Sequence, residues 1–127
     1  FYSISGRVVE GKRRGKKIGV PTINLQIYND LIVKEGIYSG YTVIKGEKKK
    51  YLSAISIGKN PTFGDKNVAV EAHLIDFSKD VYGRDVEIFF YSKIRDQKKF
   101  KSVEELVKNI KEDIKKIKEM KKEIFLR

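Results

Sequence analysis

Most of the groups that suggest chemistry lie in one stretch, GKRRGKKIGVPTIN, residues 11–24. Gly11, Gly15 and Gly19 recur four apart, and five of the six residues from Lys12 to Lys17 are basic. Glycine lets the backbone reach positive φ and lets an anion approach main-chain N–H groups closely. Loops of this kind hold phosphate through amides, with lysine or arginine adding charge. Two common phosphate loops are excluded. Lys17 follows Gly15-Lys16 where a Walker A loop needs Ser or Thr, and G-x-G-x-x-G is absent. Pro21 fixes its own φ and extends Val20, so Thr22 begins a strand from a rigid corner. Thr22 and Asn24 then point the same way, with Cα atoms about 6.6 Å apart at strand rise. A hydroxyl and an amide oxygen side by side suit Mg²⁺, which takes few protein ligands and completes its shell with water and phosphate. A solvated hairpin loop followed by turn-capping Thr and Asn explains the same residues. On residue types alone, both readings stand.

Two further candidates sit in VAVEAHL, residues 68–74. Glu71 and His73 are two apart, on the strand face opposite Val68, Val70, Ala72 and Leu74. A strand glutamate is most simply solvent-facing. With no second histidine and no cysteine, His73 reads as a packing or hydrogen-bonding residue rather than a metal ligand. Phe77, Tyr82, Phe89, Phe90 and Tyr91 are expected in the core, and Asp76 and Asp80 in turns.

The elements that must position these groups follow from periodicity. Ile4–Glu10, Thr22–Ile27, Ile37–Ile44, Lys50–Ile57, Val68–Phe77 and Val86–Ile94 are rich in Val, Ile, Tyr and Phe and are separated by turn material. Six short strands without intervening helices predict a closed or nearly closed antiparallel barrel, a mainly β fold. Ser102-Val103-Glu104-Glu105 is a capping box. Behind it Val103, Leu106, Val107, Ile110, Ile114 and Ile117 recur as one helical stripe to about Lys122, with lysines on the solvated face. The 127 residues read as a single domain, with the barrel over about 1–95 and the helix over about 102–122.

The net charge of +11 is uneven. Residues 1–50 carry +7, residues 51–100 carry +1 and residues 101–127 carry +3, so an anionic partner is expected at the opening stretch. No apolar run approaches the roughly 18 residues of a membrane span. The absence of cysteine rules out disulfides and thiolate metal sites and fits a cytoplasmic protein. A chain beginning with Phe is expected to be part of a longer protein. A small basic barrel also suits a single-stranded nucleic-acid binder of OB type, but that function wants basics and aromatics interleaved across a strand face. Here the basics cluster in a Gly-rich loop and on a helix, which favours nucleotide phosphate over nucleic acid.

SGRVVEGKRRGKKIGVPTINL resembles the signature of the flavokinase (riboflavin kinase) family, roughly G-x-V-x-x-G, a basic Gly-rich loop, then G-x-P-T-x-N. SIGKNPTFG (56–64), VEAHLIDF (70–77), DVYGRDVEIFF (80–90) and IRDQKKFKSVEELVKNIKEDI (94–114) are similar to the family's later blocks, in order and in register, so the resemblance spans residues 2–118. It is to the bacterial form, where the kinase is usually the C-terminal half of a bifunctional enzyme whose N-terminal half, an FAD synthetase, adenylylates FMN.

The resemblance implies a six-stranded antiparallel Greek-key barrel with a C-terminal helix, and transfer of the ATP γ-phosphate to riboflavin to give FMN and ADP. It assigns Gly11, Gly15, Lys16, Lys17, Gly19, Pro21, Thr22 and Tyr82 to the nucleotide, and Thr22 and Asn24 to Mg²⁺. Glu71 becomes the catalytic base, and Arg95 and Glu105 lie near the flavin. Gln97 stands where the family usually has Glu. The flavin is expected between the barrel, the 78–84 turn and the start of the helix, with the 59–67 loop folding over it. A flavin-binding module that has lost catalysis is the alternative, against which Thr22, Asn24 and Glu71 stand together.

Overall fold

Strands with one apolar face bury it most completely when the sheet closes on itself, and these do. The computed structural model describes residues 2–9, 21–28, 33–59 and 68–126. The strands are β1 (Tyr2–Val9), β2 (Thr22–Ile27), β3 (Gly36–Ile44), β4 (Lys50–Lys59), β5 (Val68–Leu74) and β6 (Asp85–Arg95). They form a closed barrel in the order β1-β2-β5-β4-β3-β6, with every neighbouring pair antiparallel. Strands β3, β4 and β5 run consecutively and β6 returns beside β3, which is a Greek key.

The barrel interior is filled by alternate residues. Ile23 and Leu25 of β2, Ile55 and Ile57 of β4, Val70, Ala72 and Leu74 of β5 and Val86, Ile88 and Phe90 of β6 all point inward. One polar pair joins them: the Thr42 and Ser53 hydroxyls lie 2.8 Å apart, and Ser53 donates to the Tyr51 carbonyl at 2.7 Å. Buried hydroxyls bonded in this way avoid the cost of a lost hydrogen bond. At Gly40 the sheet folds tightly enough that a Cβ would lie 1.9 Å from the Phe89 carbonyl oxygen, beside a register shift between β3 and β6. Only glycine fits there.

Outside the barrel lie α1 (Val103–Glu119) and α2 (Lys121–Phe125). Ile117 and Ile124 are fully buried against Tyr41, Leu52, Ala54 and Ile75 on the outer face. The expected single helix is therefore two, broken at Met120, whose N–H bonds back to the Ile117 and Lys118 carbonyls. The cap also differs from expectation in its second half. Glu105 N–H donates to Ser102 Oγ at 3.1 Å, but the Glu105 carboxylate accepts from Lys101 N–H at 3.4 Å instead of from Ser102. The buried stripe differs too: Val103 is exposed, and Asp113 is buried beside Ile110 and Ile117.

Candidate active site

The outer face of β2, β5 and β4 carries the polar groups. In the β2–β5 register Asn24 lies directly opposite Glu71 and Thr22 opposite His73. On the other side of β5, Ser56 of β4 faces Glu71 and Ala54 faces His73. Directly opposed residues on one face have Cβ atoms about 4.5–5.5 Å apart. Pairing thus sets Thr22, Asn24, Glu71 and His73 in a two-by-two block on one surface. Thr22, Asn24, Glu71 and Ser56 are half-buried, whereas His73 is only 8% exposed.

The block is held at its edges. The Thr22 hydroxyl lies 2.7 Å from His73 Nδ1. Burial pulls the His73 imidazole down from 6.5 to about 4, while the charge of Asp113 acts in the opposite direction. Taking a cation out of water outweighs that attraction, so the ring is neutral near pH 7. Asp113 accepts from Arg95 Nε at 3.0 Å and from Arg95 Nη2 at 2.7 Å, a two-pronged ion pair between α1 and the end of β6. Arg95 Nη1 donates to the Asp96 carbonyl at 3.1 Å. Gln97 Nε2 donates to Ser56 Oγ at 2.8 Å and to the Ile57 carbonyl at 3.0 Å, laying the chain after β6 across β4 beside Glu71.

Both stems of the 10–20 segment are anchored at this end of the barrel. Gly83 N–H donates to the Val8 carbonyl and Val8 N–H to the Arg84 carbonyl, both at 2.9 Å, so β1 ends against the 82–84 turn. Leu74 N–H donates to the Pro21 carbonyl at 3.0 Å, so β2 begins against the end of β5. Gly11, Gly15, Lys16, Lys17 and Gly19 lie outside the described residues, as does most of the 59–67 loop.

A riboflavin kinase family model matches residues 1–121. The chain belongs to the riboflavin kinase family. It is 37% identical over 113 residues to the bifunctional riboflavin kinase/FMN adenylyltransferase of Bacillus subtilis, covering 86% of this chain and 35% of that protein. The chain spans about a third of the length of the curated relatives it matches. Among solved structures, Trypanosoma brucei riboflavin kinase superposes with a TM-score of 0.67 at 28% identity, covering 93% of this chain and 78% of that one. A Streptococcus pneumoniae chain described as a macrolide-efflux protein superposes with a TM-score of 0.79 at 36% identity, covering 89% of this chain and 37% of that one.

With the family in hand, the expected site residues fall into two groups. Thr22, Asn24 and Glu71 are together, with Pro21 adjacent. Tyr82 stands 66% exposed on its turn, its N–H bonded to Asp80 Oδ1 at 3.0 Å, so it is not among the core aromatics. Arg95 and Glu105 are engaged within the protein, Arg95 with Asp113 and Glu105 with the Lys101 amide. The first half of α1 borders an open depression of about 430 Å³ lined by Val103, Glu104, Val107, Lys108 and Lys111. Residue reasoning missed Asp113 and Ser56 altogether. For Asp113 the one available signal was a carboxylate interrupting the apolar positions of α1.

Proposed function

We propose that the chain phosphorylates riboflavin, transferring the γ-phosphate of ATP to the 5′-hydroxyl to give FMN and ADP. In the full-length protein it would work beside an FMN adenylyltransferase domain, as the names of its bifunctional relatives suggest. The observation that carries this reading is the β2–β5 register, which sets Glu71 opposite Asn24 with Thr22 next on the same face. A proton acceptor and a pair of neutral oxygens are thereby within one ligand's reach.

The chemistry of the donor set fits Mg²⁺ that arrives with a nucleotide. Among the described residues no three His, Cys, Asp or Glu side chains cluster to hold a metal by themselves. Two neutral oxygens beside one carboxylate instead leave most of the coordination shell to water and phosphate. Thr22 and Asn24 would hold the ion, which when bound neutralises charge on the β- and γ-phosphates. Glu71 accepts the proton of the riboflavin 5′-hydroxyl as that oxygen attacks the γ-phosphorus. The new O–P bond forms as the bond to the β–γ bridging oxygen breaks, and ADP leaves. Gly11, Gly15, Lys16, Lys17 and Gly19 supply amides and charge to the phosphates, with Tyr82 bordering the nucleotide.

The flavin needs an apolar slot with a few polar edges. Val103 and Val107, at the depression beside α1, offer apolar surface for it. Arg95 and Glu105 border it by holding the 96–105 segment, Arg95 through Asp113 and the Asp96 carbonyl and Glu105 through the Lys101 amide. Among the described residues no helix is long and apolar enough to cross a membrane.

Incubating the purified protein with riboflavin, ATP and Mg²⁺ and separating the flavins tests this reading. FMN with Mg²⁺ and none with EDTA is the expected result. Bound riboflavin without FMN would identify a non-catalytic flavin module. Binding of neither substrate would reopen the nucleic-acid reading.

A further inference from the structure

One hydroxyl on the open face has no part in the phosphoryl-transfer scheme, yet it stands beside the base. We propose that Ser56 is a substrate-binding residue that donates to the riboflavin 4′-hydroxyl while Glu71 takes the 5′-hydroxyl, so that two directly opposed side chains grip two adjacent hydroxyls of the ribityl chain. The inference rests on the reading of Glu71 as the acceptor of the 5′-hydroxyl proton.

The hydrogen bonding of Ser56 is fixed by its neighbours. Gln97 Nε2 lies 3.0 Å from the Ile57 carbonyl oxygen and 2.8 Å from Ser56 Oγ. A carbonyl oxygen can only accept, so the amide atom that faces it is the nitrogen and not the oxygen. An amide nitrogen can only donate, so Ser56 Oγ accepts from it. The serine proton is therefore not spent on Gln97, and with the second lone pair it serves another partner. Gly58 makes this bridge possible, since a Cβ there would meet Nε2 at 2.9 Å.

Position says what that partner is. Strand register sets Asn24, Glu71 and Ser56 in one row across β2, β5 and β4, and the row continues through Ile37 of β3 to Arg95 of β6. Neighbouring strands lie about 4.8 Å apart, so Ser56 is one step from the base on the side away from Asn24. Asn24, with its proposed metal, marks the phosphate end of the row. Arg95, which ties down α1 through Asp113, marks the end where the flavin ring is proposed. A substrate with its 5′-oxygen at Glu71 and its ring toward α1 leads its ribityl chain over Ser56, and the first hydroxyl beyond the reacting one is the 4′. Opposed side chains on one face have Cβ atoms about 4.5–5.5 Å apart, which suits a pair of adjacent hydroxyls. Ser56 is half-buried and its bond to Gln97 is open to solvent, so a ligand can reach it. A short side chain already held by one bond also loses little freedom on binding. The pair thereby favours a polyol chain over a simple alcohol, which Glu71 alone would hold.

Flavin binding, read by quenching of flavin fluorescence in protein saturated with ADP and Mg²⁺, tests this without turnover. Wild type and Ser56→Ala are each titrated with riboflavin and with 4′-deoxyriboflavin. Wild type should bind the deoxy compound about 3–10-fold more weakly than riboflavin, the worth of one neutral hydrogen bond. Ser56→Ala should lose about the same factor for riboflavin and should bind the two flavins equally. An equal loss for both flavins on substitution would mean that Ser56 only holds β4, and would overturn the inference. So would a wild type that does not distinguish the two flavins, a result that needs no variant. FMN formation without the expected pattern removes this inference and leaves the kinase reading in place. The expected pattern in a protein that makes no FMN does the reverse, keeping Ser56 on the ribityl chain of a flavin module. Binding of neither flavin by wild type overturns both.

Discussion

The outside of this barrel is two surfaces. Over β3, β6 and the first half of β4 it is apolar, carrying Tyr41, Phe89, Leu52 and Ala54, and α1 and α2 cover it with Ile117 and Ile124. Over β2, β5 and the second half of β4 it is polar, carrying Thr22, Asn24, Glu71 and Ser56. Strand β4 crosses the boundary, from Leu52 under the helices to Ser56 beside Glu71. The interior cluster draws on strands of both halves, so it does not distinguish them. What differs is the outward-facing set of each strand: apolar where the helices dock, oxygen-rich on the face proposed for the substrates. The boundary is occupied by the buried His73 and Asp113, and by Arg95, which holds Asp113.

Substitutions on the two surfaces should fail differently, and the largest effect is expected on the open one. Glu71→Gln should lower turnover by about 10²–10⁴-fold, the usual worth of a general base, while nucleotide affinity and melting temperature stay near wild type. Steady-state assays with a parallel thermal melt check this; full turnover would leave the open face without its base.

At the boundary, Arg95→Ala should cost about 3–5 kcal/mol of stability, because it strands the nearly buried Asp113 charge without its partner. Replacing both, Arg95→Met with Asp113→Leu, should recover much of that in denaturant titrations, since a well-packed apolar pair removes two desolvation costs at once. A double variant as unstable as the single one would show that the pair is more than a closed charge.

The buried imidazole makes the boundary sensitive to acid. His73 titrates at 6.5 when exposed and at about 4 in the fold. The unfolded chain therefore takes up a proton first as pH falls. The contribution is unchanged above pH 6.5, is lost progressively between 6.5 and 4, and levels off below. Its full size is on the order of 3 kcal/mol. Unfolding of metal-free wild type and His73→Asn across this range should give curves that diverge as pH drops; parallel curves would mean that the ring is hydrated.

The two surfaces were unequally visible in the amino-acid sequence. Runs rich in Val, Ile, Tyr and Phe between turn residues located every strand, β2 to the residue, because strand preference and a core face are local properties. The end of β5 was expected at Phe77 and falls at Leu74, because Asp76 takes a left-handed φ of 56° and turns the chain. Aspartate is among the few side chains that tolerate that conformation. Register between distant strands is not local. Nothing in PTIN or VEAH says that Asn24 faces Glu71 or Thr22 faces His73, so residue types alone left the metal perch and the base as separate ideas, and only family resemblance joined them. Asp113 was only faintly visible for a related reason: its burial depends on Arg95, on a different element.

The smallest effect expected concerns where the open surface stops. Gln97 bridges Ser56 and the Ile57 carbonyl with one amide nitrogen, and a Cβ on Gly58 would meet that nitrogen at 2.9 Å and the amide carbon at 3.2 Å. Gly58 therefore leaves room for Gln97 to lie across β4. Gln97→Ala removes two partly solvated bonds and should cost about 1 kcal/mol, a shift of a few degrees in melting temperature. Gly58→Ala should cost a similar amount by displacing the same amide, which sits on a flexible side chain. The two should not add. Once Gln97 is alanine, the methyl at position 58 has nothing to displace, so the double variant should melt near the Gln97→Ala protein. Additive losses would mean that Gly58 serves the backbone of β4 itself, and that the edge of the open surface is set by strand geometry rather than by the chain laid over it.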